Sequence, residues 1–444
     1  MSPARIPSQY YERWFAAMVP DYQGDVNCVL EFAGAIDERR MTQAFLCALA
    51  AEPMWSYRFV THWWTPYWSF IPREDRAALV TVAACASSEE RFAAWERILA
   101  SGVDAAARVM ILRTPQNDHV CLRVDHRLAD ANAARHLLQS IAEHYQRQDE
   151  VPATDGPVIR RTALALLRPL ANLRTRWKLF QELLVFVKRS GTARGFTLPT
   201  STEDDPYVSP QFLHYPEGAA SALTARAMRD RATAAMVIIA VTYIALRDVL
   251  TFTEGVRIPI NLPVNLRRYL PAAEQAAPAS MLTGQVSVWI DPQHAADVPA
   301  IVEQVRTQLA AQRGPHFGLS QSALSLDLPL LRQYLHWNPF ANTKRNFRRM
   351  NEAADKAPMV LISDLGEFGK PEEAWDGVSI ENGYSTQGTW RQPAIMIGMS
   401  TCGTRLTLAV GSGPGSFVRR FAERIDFHLS RYVGWAPLCP PTAS

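Results

Sequence analysis

The stretch VCLRVDHRLADANAARHLL, residues 120–138, runs from a short apolar segment directly into residues with helical apolar spacing. Residues 119–124 read as a strand, and residues 132–145 repeat apolar positions three and four apart, as one face of a helix does. At the junction stand His126 and Asp130, an H-x-x-x-D pair. Connections between regular elements commonly carry catalytic groups, because the scaffold holds them at an accessible point. A histidine titrates near neutral pH and can take the proton of an alcohol or amine attacking an acyl carbon, provided its ring is held in one orientation and one tautomer. The chain contains ten histidines, so this spacing also arises by accident, and its context must decide.

Working outward, strands and helices alternate. Residues 25–34 (DVNCVLEFAG) read as a strand, and residues 37–53 as a helix opened by an Asp37 cap and closed at Pro53. Strands are expected over 55–60, 78–84 and 109–114, with a helix over 87–101. Beyond a Ser/Thr/Asp-rich stretch at 199–205, the pattern predicts a strand near Phe212 and a long apolar helix over 232–246. The segment RIPINLPVNLR (257–267) and a strand over 283–290 follow, then helices over 298–311 and 324–335. The strand-like segment PMVLISDLGEFG (358–369), strands over 395–401 and 405–413, and a last helix over 416–432 complete the pattern. The fold class is therefore mixed α/β in two comparable halves, divided near residue 195 into 1–195 and 196–444.

At 444 residues the chain exceeds what one hydrophobic core usually serves. Its 48% hydrophobic and 20% charged residues describe a globular protein, and a net charge of +3 gives no reason to expect nucleic acid. Six cysteines lie scattered, without a C-x-x-C or neighbouring histidines at ligand spacing, which argues against a zinc site or a disulfide framework and fits reduced thiols in a cytoplasm. The N-terminal MSPARIPSQYYERWF lacks the apolar core of a signal peptide, so a cytoplasmic location is expected. The apolar run 232–246 is shorter than the roughly 20 residues of a membrane span and is flanked by charges, so it reads as a buried core helix.

Several segments together resemble the acyltransferase superfamily of chloramphenicol acetyltransferase, peptide-synthetase condensation domains, wax ester synthases and polyketide-associated acyltransferases. Residues 32–60 are similar to the first helix of that superfamily with its flanking strands, and VDHRLADA (124–131) to its H-H-x-x-x-D-G motif. INLPVNLRRYLP (260–271) resembles its P-V-N-L-R segment, LTGQVSV (282–288) the G-N element that follows, and ISDLGEFG (362–369) its S-N-L-G segment. These segments occur in the family's order. The resemblance implies two chloramphenicol-acetyltransferase-like halves forming a V-shaped pseudo-dimer, with a tunnel between them that donor and acceptor enter from opposite faces.

It also implies roles. His126 is the general base, in an enzyme that moves an acyl group from a thioester, on coenzyme A or on the phosphopantetheine of a carrier protein, to a hydroxyl or amine. Asp130 is architectural, paired with a buried arginine for which Arg267 is the candidate. The Ala131 amide, at a helix start, is placed to help stabilise the oxyanion. No metal and no permanently bound cofactor are expected, and a pseudo-dimer has no need of a second subunit, so a monomer is expected. Two positions depart from the motif: Asp125 stands for the first histidine and Ala131 for the glycine. Asp125 beside the ring favours its charged form, which hinders a base. Ala131 interferes if its position needs positive φ or close approach of the acyl group, and is harmless if it is simply the first helical residue. Two alternatives stay open: a degenerate member that binds a carrier protein or acyl ligand without turnover, and, from Asp125 and Asp130 as a D-x-x-x-x-D pair, a heterocyclization domain.

Four further features have plain readings beside functional ones. GSGPGS (411–416) fits a strand-to-helix turn better than a phosphate cradle, because Pro414 removes an N–H. His136 and His144 lie two turns apart on one helix with no third ligand evident. The aromatic cluster 54–70 reads as a hairpin turning at Pro66, or as a grip for an apolar chain. Residues 160–194 carry nine basic residues against the single acid Glu182, interleaved with Leu, Trp and Phe. This basic crossover segment, 160–195, suits an anionic membrane surface or the acidic face of a carrier protein, the alternative being a helix that crosses between the halves and buries its leucines.

Overall fold

The alternating apolar residues of the first half form strands around a central pair. The computed structural model describes residues 5–18, 25–101, 104–154, 172–190, 196–199, 202–205, 210–253, 255–272, 275, 279–320, 337–345, 359–370, 373–387, 394–411 and 413–438. In chain order the first half contains β1 (Arg5–Pro7), α1 (Tyr10–Met18), β2 (Asp25–Phe32), α2 (Glu38–Ala51), β3 (Tyr57–Val60), β4 (Tyr67–Phe70), β5 (Val80–Ala84), α3 (Ser88–Ala100), β6 (Ala107–Arg113), β7 (Asp118–Asp125), α4 (Ala131–Arg147) and α5 (Leu173–Ser190). The second contains β8 (Gln211–Tyr215), α6 (Ala219–Arg229), α7 (Ala234–Val249), β9 (Ile258–Asn265), β10 (Thr283–Ile290), α8 (Val298–Gln312), β11 (Met359–Glu367), β12 (Ala374–Trp375), β13 (Val378–Gln387), β14 (Ala394–Cys402), β15 (Arg405–Gly411) and α9 (Gly415–Val433).

Two six-stranded mixed sheets result, in the orders β12-β13-β2-β7-β6-β5 and β10-β9-β11-β14-β15-β8. On the first sheet, side chains alternate between faces. Val26, Cys28 and Leu30 of β2, with Val120, Leu122 and Val124 of β7, pack with Phe45 and Leu49 of α2 and Leu138 of α4, while Val29 and Cys121 face Trp95 of α3. The second core joins the inner faces of β9, β11, β14 and β15 to α6, α7, α8 and α9. Helix α7 is the apolar run of the sequence, and its residues from Met236 to Leu246 are buried except Ile244. Burying each such Ile, Val or Leu contributes about 1.5–3 kcal/mol, which accounts for a helix apolar on all sides inside a folded core. Among the described residues no single helix is long and apolar enough to cross a bilayer; α6 and α7 together reach the required length and composition but meet at 89°.

The division at residue 195 is one of chain rather than of sheet. Strands β12 and β13, from beyond residue 373, close the edge of the first sheet by pairing β13 antiparallel to β2, and Trp375 and Ile380 lie in the first core. The sequence reading had no strand there. Residues 378–387 (VSIENGYSTQ) lack period-2 alternation, because a register shift between Ile380 and Asn382 interrupts it and Asn382, Ser385 and Thr386 are buried. The next strand, β14, belongs to the second sheet, and the Ser385 amide donates to Ser400 Oγ at 3.1 Å. The halves are thus stitched by exchanged chain. The expected helix at 324–335 lies outside the described residues.

The aromatic cluster forms the β3–β4 hairpin, extended by β1, with Trp68 buried and its Nε1 donating to Glu12 Oε2 at 2.9 Å. Trp55 and Ser56, expected as strand, form a 3-10 turn instead. Helix α5 buries Leu179 and Leu183 while Leu173, Trp177, Leu184 and Val185 are exposed; the other residues of the basic crossover, 160–171 and 191–195, are outside the described set.

Candidate active site

Strand β7 ends at Asp125 and α4 begins at Ala131, so residues 126–130 form the turn between them. The amides of Leu128 and Ala129 close the turn by donating to the Asp125 carbonyl at 3.0 and 3.2 Å. Asp130 caps the helix, its Oδ1 accepting from the Ala133 amide at 3.0 Å. The His126 ring is partly buried, tilted against Phe15 at a centroid distance of 5.7 Å. Its Nδ1 lies 2.8 Å from the Ala129 carbonyl. A carbonyl only accepts, so Nδ1 must carry the proton, and in the neutral ring the basic lone pair is then on Nε2. Burial holds the His126 pKa below the ordinary histidine range; the hydrogen bond to Ala129 and the nearby Asp130 and Asp125 carboxylates oppose the shift without cancelling it.

Asp130 Oδ2 collects three donors from the second half: Arg267 Nη1 at 2.9 Å, the Leu282 amide at 2.9 Å and Thr283 Oγ1 at 3.0 Å. Asp130 and Arg267 are 2% and 3% exposed, so this is a buried ion pair joining the halves. Burial alone would push the Asp130 carboxyl up, but Arg267 and the hydrogen bonds outweigh it and hold it below the usual carboxylate range. Arg267 sits in a 3-10 turn after β9; its own amide donates to Asn265 Oδ1 and its Nη2 to the Ser280 carbonyl at 3.0 Å. Antiparallel pairing of β9 and β10 places Asn265 opposite Thr283, which brings both sides of this cradle together.

The two altered motif positions have specific surroundings. Asp125 is fully buried and engaged by Arg127, with Nε to Oδ1 at 2.8 Å and Nη2 to Oδ2 at 2.6 Å, while the Arg127 amide donates to Oδ1 at 2.9 Å. The Arg127 guanidinium stacks over Phe59 at 4.4 Å. The charge beside His126 is thus matched by a neighbouring cation. Ala131 is the first residue of α4, its φ lies outside the left-handed region, and it packs against the first core. Alanine there is an ordinary helical residue.

Gly284, at the start of β10, is required by space. A Cβ there would fall 2.1 Å from the Gly318 carbonyl, and the Gln285 amide donates to that same oxygen at 3.1 Å. In β11 a bulge between Asp364 and Gly366 coincides with a positive φ of 81° at Gly366, and Arg135 of α4 lies against it. The other sequence features fall elsewhere. Of GSGPGS, Gly411 ends β15 and Gly415 opens α9, and the Asp205 carboxylate accepts from the Ser416 amide at 3.0 Å and from its hydroxyl, occupying the place an anion would take. His144 Nδ1 lies 2.6 Å from Asp149 Oδ2.

Arg127, Ser280, Leu282, Thr283 and Phe15 were not singled out by the sequence. Thr283 lies within a quoted segment and Arg127 adjoins His126, but nothing in spacing distinguishes an arginine that neutralises a buried neighbour from one in solvent.

No family model and no curated protein matches the sequence. Solved structures do. The trichothecene 15-O-acetyltransferase of Fusarium sporotrichioides is similar over 96% of this chain and 95% of that chain, at 10% identity and a TM-score of 0.73. Polyketide synthase associated protein 5 of Mycobacterium tuberculosis is similar over 97% and 99%, at 17% identity and a TM-score of 0.62. The first condensation domain of the CDA synthetase is similar over 99% and 100%, at 15% identity and a TM-score of 0.61. At such identities the likeness defines the fold: it is the pseudo-dimeric α/β fold shared by condensation domains and chloramphenicol-acetyltransferase-like acyltransferases.

Proposed function

We propose that the protein is an acyltransferase that moves an acyl group from a thioester to a hydroxyl or amine, with His126 as general base. The observation that supports this reading is the hydrogen bond from Nδ1 to the Ala129 carbonyl, which leaves the basic lone pair of the neutral ring on Nε2. In the proposed reaction the acceptor O–H or N–H gives its proton to Nε2 while its lone pair attacks the thioester carbonyl carbon. The tetrahedral oxyanion gains stabilisation from the positive end of α4 at the Ala131 amide. Collapse expels the thiolate, which takes the proton back from Nε2. Asp130 and Arg267 position the turn and exchange no proton, since each is held by several buried partners.

The thioester is carried by coenzyme A or by a carrier-protein phosphopantetheine, and donor and acceptor approach from opposite faces of a tunnel between the halves. The exposed apolar residues of α5, flanked by Arg174, Lys178 and Lys188, suit a peripheral contact with an anionic surface. The pairing of Asp125 with Arg127 favours turnover over a degenerate binding role and over heterocyclization, because the substituted carboxylate is neutralised in place. The test is acyl transfer from a panel of acyl-thioesters to mixed alcohols and amines by the wild type and by His126→Ala. Loss of at least about 100-fold in rate is expected; an unchanged rate removes His126 from the mechanism.

A further inference from the structure

On the face of the first sheet turned away from α2 and α4, a cavity of about 280 Å³ lies between α3, strands β2, β7 and β13, and the edge strand β8 of the second half. It lies near the start of β7, at His119. The six residue steps of strand from there to Asp125 span roughly 20 Å, so the cavity is separate from His126. Its size is near the lower end of small-molecule pockets, about 300 Å³. Ser88 and Phe92, both exposed, mark its mouth.

The lining is unusual in its charges. Burial pushes His119 and His214 down to about 4, so both are neutral at pH 7. That leaves one anion, Glu31, and one cation, Arg91. Glu31 faces the neutral His119 at 3.7 Å and bonds the Tyr384 hydroxyl, and has no cationic partner at neutral pH among the described residues. Arg91 donates to the neutral Asn117 Oδ1 at 2.6 Å, and no carboxylate among the described residues forms a salt bridge with it. Trp95 is 6% exposed and its Nε1 is buried with no hydrogen-bond partner. Phe212 stacks on His214 at 5.8 Å and meets Tyr384 at 5.2 Å, forming an aromatic wall suited to a flat apolar group.

We infer that this cavity is a second, non-catalytic binding site for a small zwitterion with an apolar body, of the size and charge of a free aromatic α-amino acid. Glu31 receives the ammonium, Arg91 receives the carboxylate, and the ring lies against Phe212 and Tyr384. Because Phe212 and His214 belong to the second half and the charged groups to the first, the site is complete only when the halves are docked. The inference is independent of acyl transfer.

The test is isothermal titration of the full chain with L-phenylalanine, 3-phenylpropanoate and 2-phenylethylamine. Saturable one-to-one binding of L-phenylalanine is expected, with each analogue, lacking one charge, about tenfold weaker or worse. Arg91→Met and Glu31→Gln should each weaken L-phenylalanine by a similar factor, in variants whose circular dichroism matches the wild type. Binding of L-phenylalanine weaker than about 1 mM, equal binding of the analogues, or unchanged binding by folded Arg91→Met would each overturn the proposal. Should Arg91→Met not fold, the wild-type comparison of the three ligands decides.

Discussion

The buried pair of Asp130 and Arg267 makes the sharpest energetic prediction. Two unit charges 2.9 Å apart attract by about 6 kcal/mol at an effective dielectric constant near 20. Desolvating each ion costs several kcal/mol, so the net worth of the intact pair is small. Removing one partner is different. Arg267→Met leaves a carboxylate with two remaining second-half donors, Leu282 N and Thr283 Oγ1, and no cation. Asp130→Leu strands the guanidinium and also removes the helix cap, itself worth about 1 kcal/mol. Each single substitution should destabilise the protein by about 3–5 kcal/mol. The double substitution Asp130→Leu with Arg267→Met strands no charge, and should destabilise less than the sum of the two singles by at least about 2 kcal/mol. The assay is urea unfolding of wild type, Asp130→Leu, Arg267→Met and the double variant, followed by tryptophan fluorescence. Additive losses, or singles costing under about 1 kcal/mol, would refute the claim that this pair is a coupled buried link between the halves.

The remaining predictions concern the base and its surroundings. Since burial lowers the His126 pKa, the acid limb of the kcat/KM profile should have its midpoint below about 6.5, the free histidine value, and a midpoint above that contradicts a buried neutral base. The same sign governs stability. Unfolding lets His126 and Asp130 bind protons more readily, so their contributions are present above about pH 6.5 and about pH 4 and decline as pH falls through those values toward the folded ones, as denaturant midpoints across pH should show. Arg127→Met leaves the Asp125 carboxylate uncompensated two residues away, so the acid limb should move to higher pH; a stationary limb argues that Arg127 does not shield the base. Gly284→Ala forces its methyl onto the Gly318 carbonyl, and a loss of about 1–3 kcal/mol is expected in urea unfolding; an unchanged midpoint would show that the approach is not tight.

How much of this was legible in advance differs by element. The H-x-x-x-D pair, the strand before it and the helix after it follow from local pattern, as do α2 with its Asp37 cap and the buried α7, because caps and apolar periodicity act within one or two turns of chain. Strands β12 and β13 were not legible. Their apolar residues fill a sheet whose other strands lie far away in sequence, and their buried polar residues face the opposite half, so neither face carries an alternating signature.

The sequence by itself determined the class of fold, the order of most of its elements and the residue types available for chemistry, since these rest on short-range propensity and on motifs that recur in order. Only the tertiary structure decided their electrostatic meaning. Asp125 beside His126 reads as a hindrance in one dimension; in three, Arg127 folds back over Phe59 and neutralises it. Asp130 and Arg267, 137 residues apart, become a pair because β9 and β10 bring the second half against the start of α4. Glu31 and Arg91 share a cavity wall only because β8 closes over α3 and the first sheet. Charge interactions depend on distance and burial, and in this protein both are set by packing between segments that sequence separates.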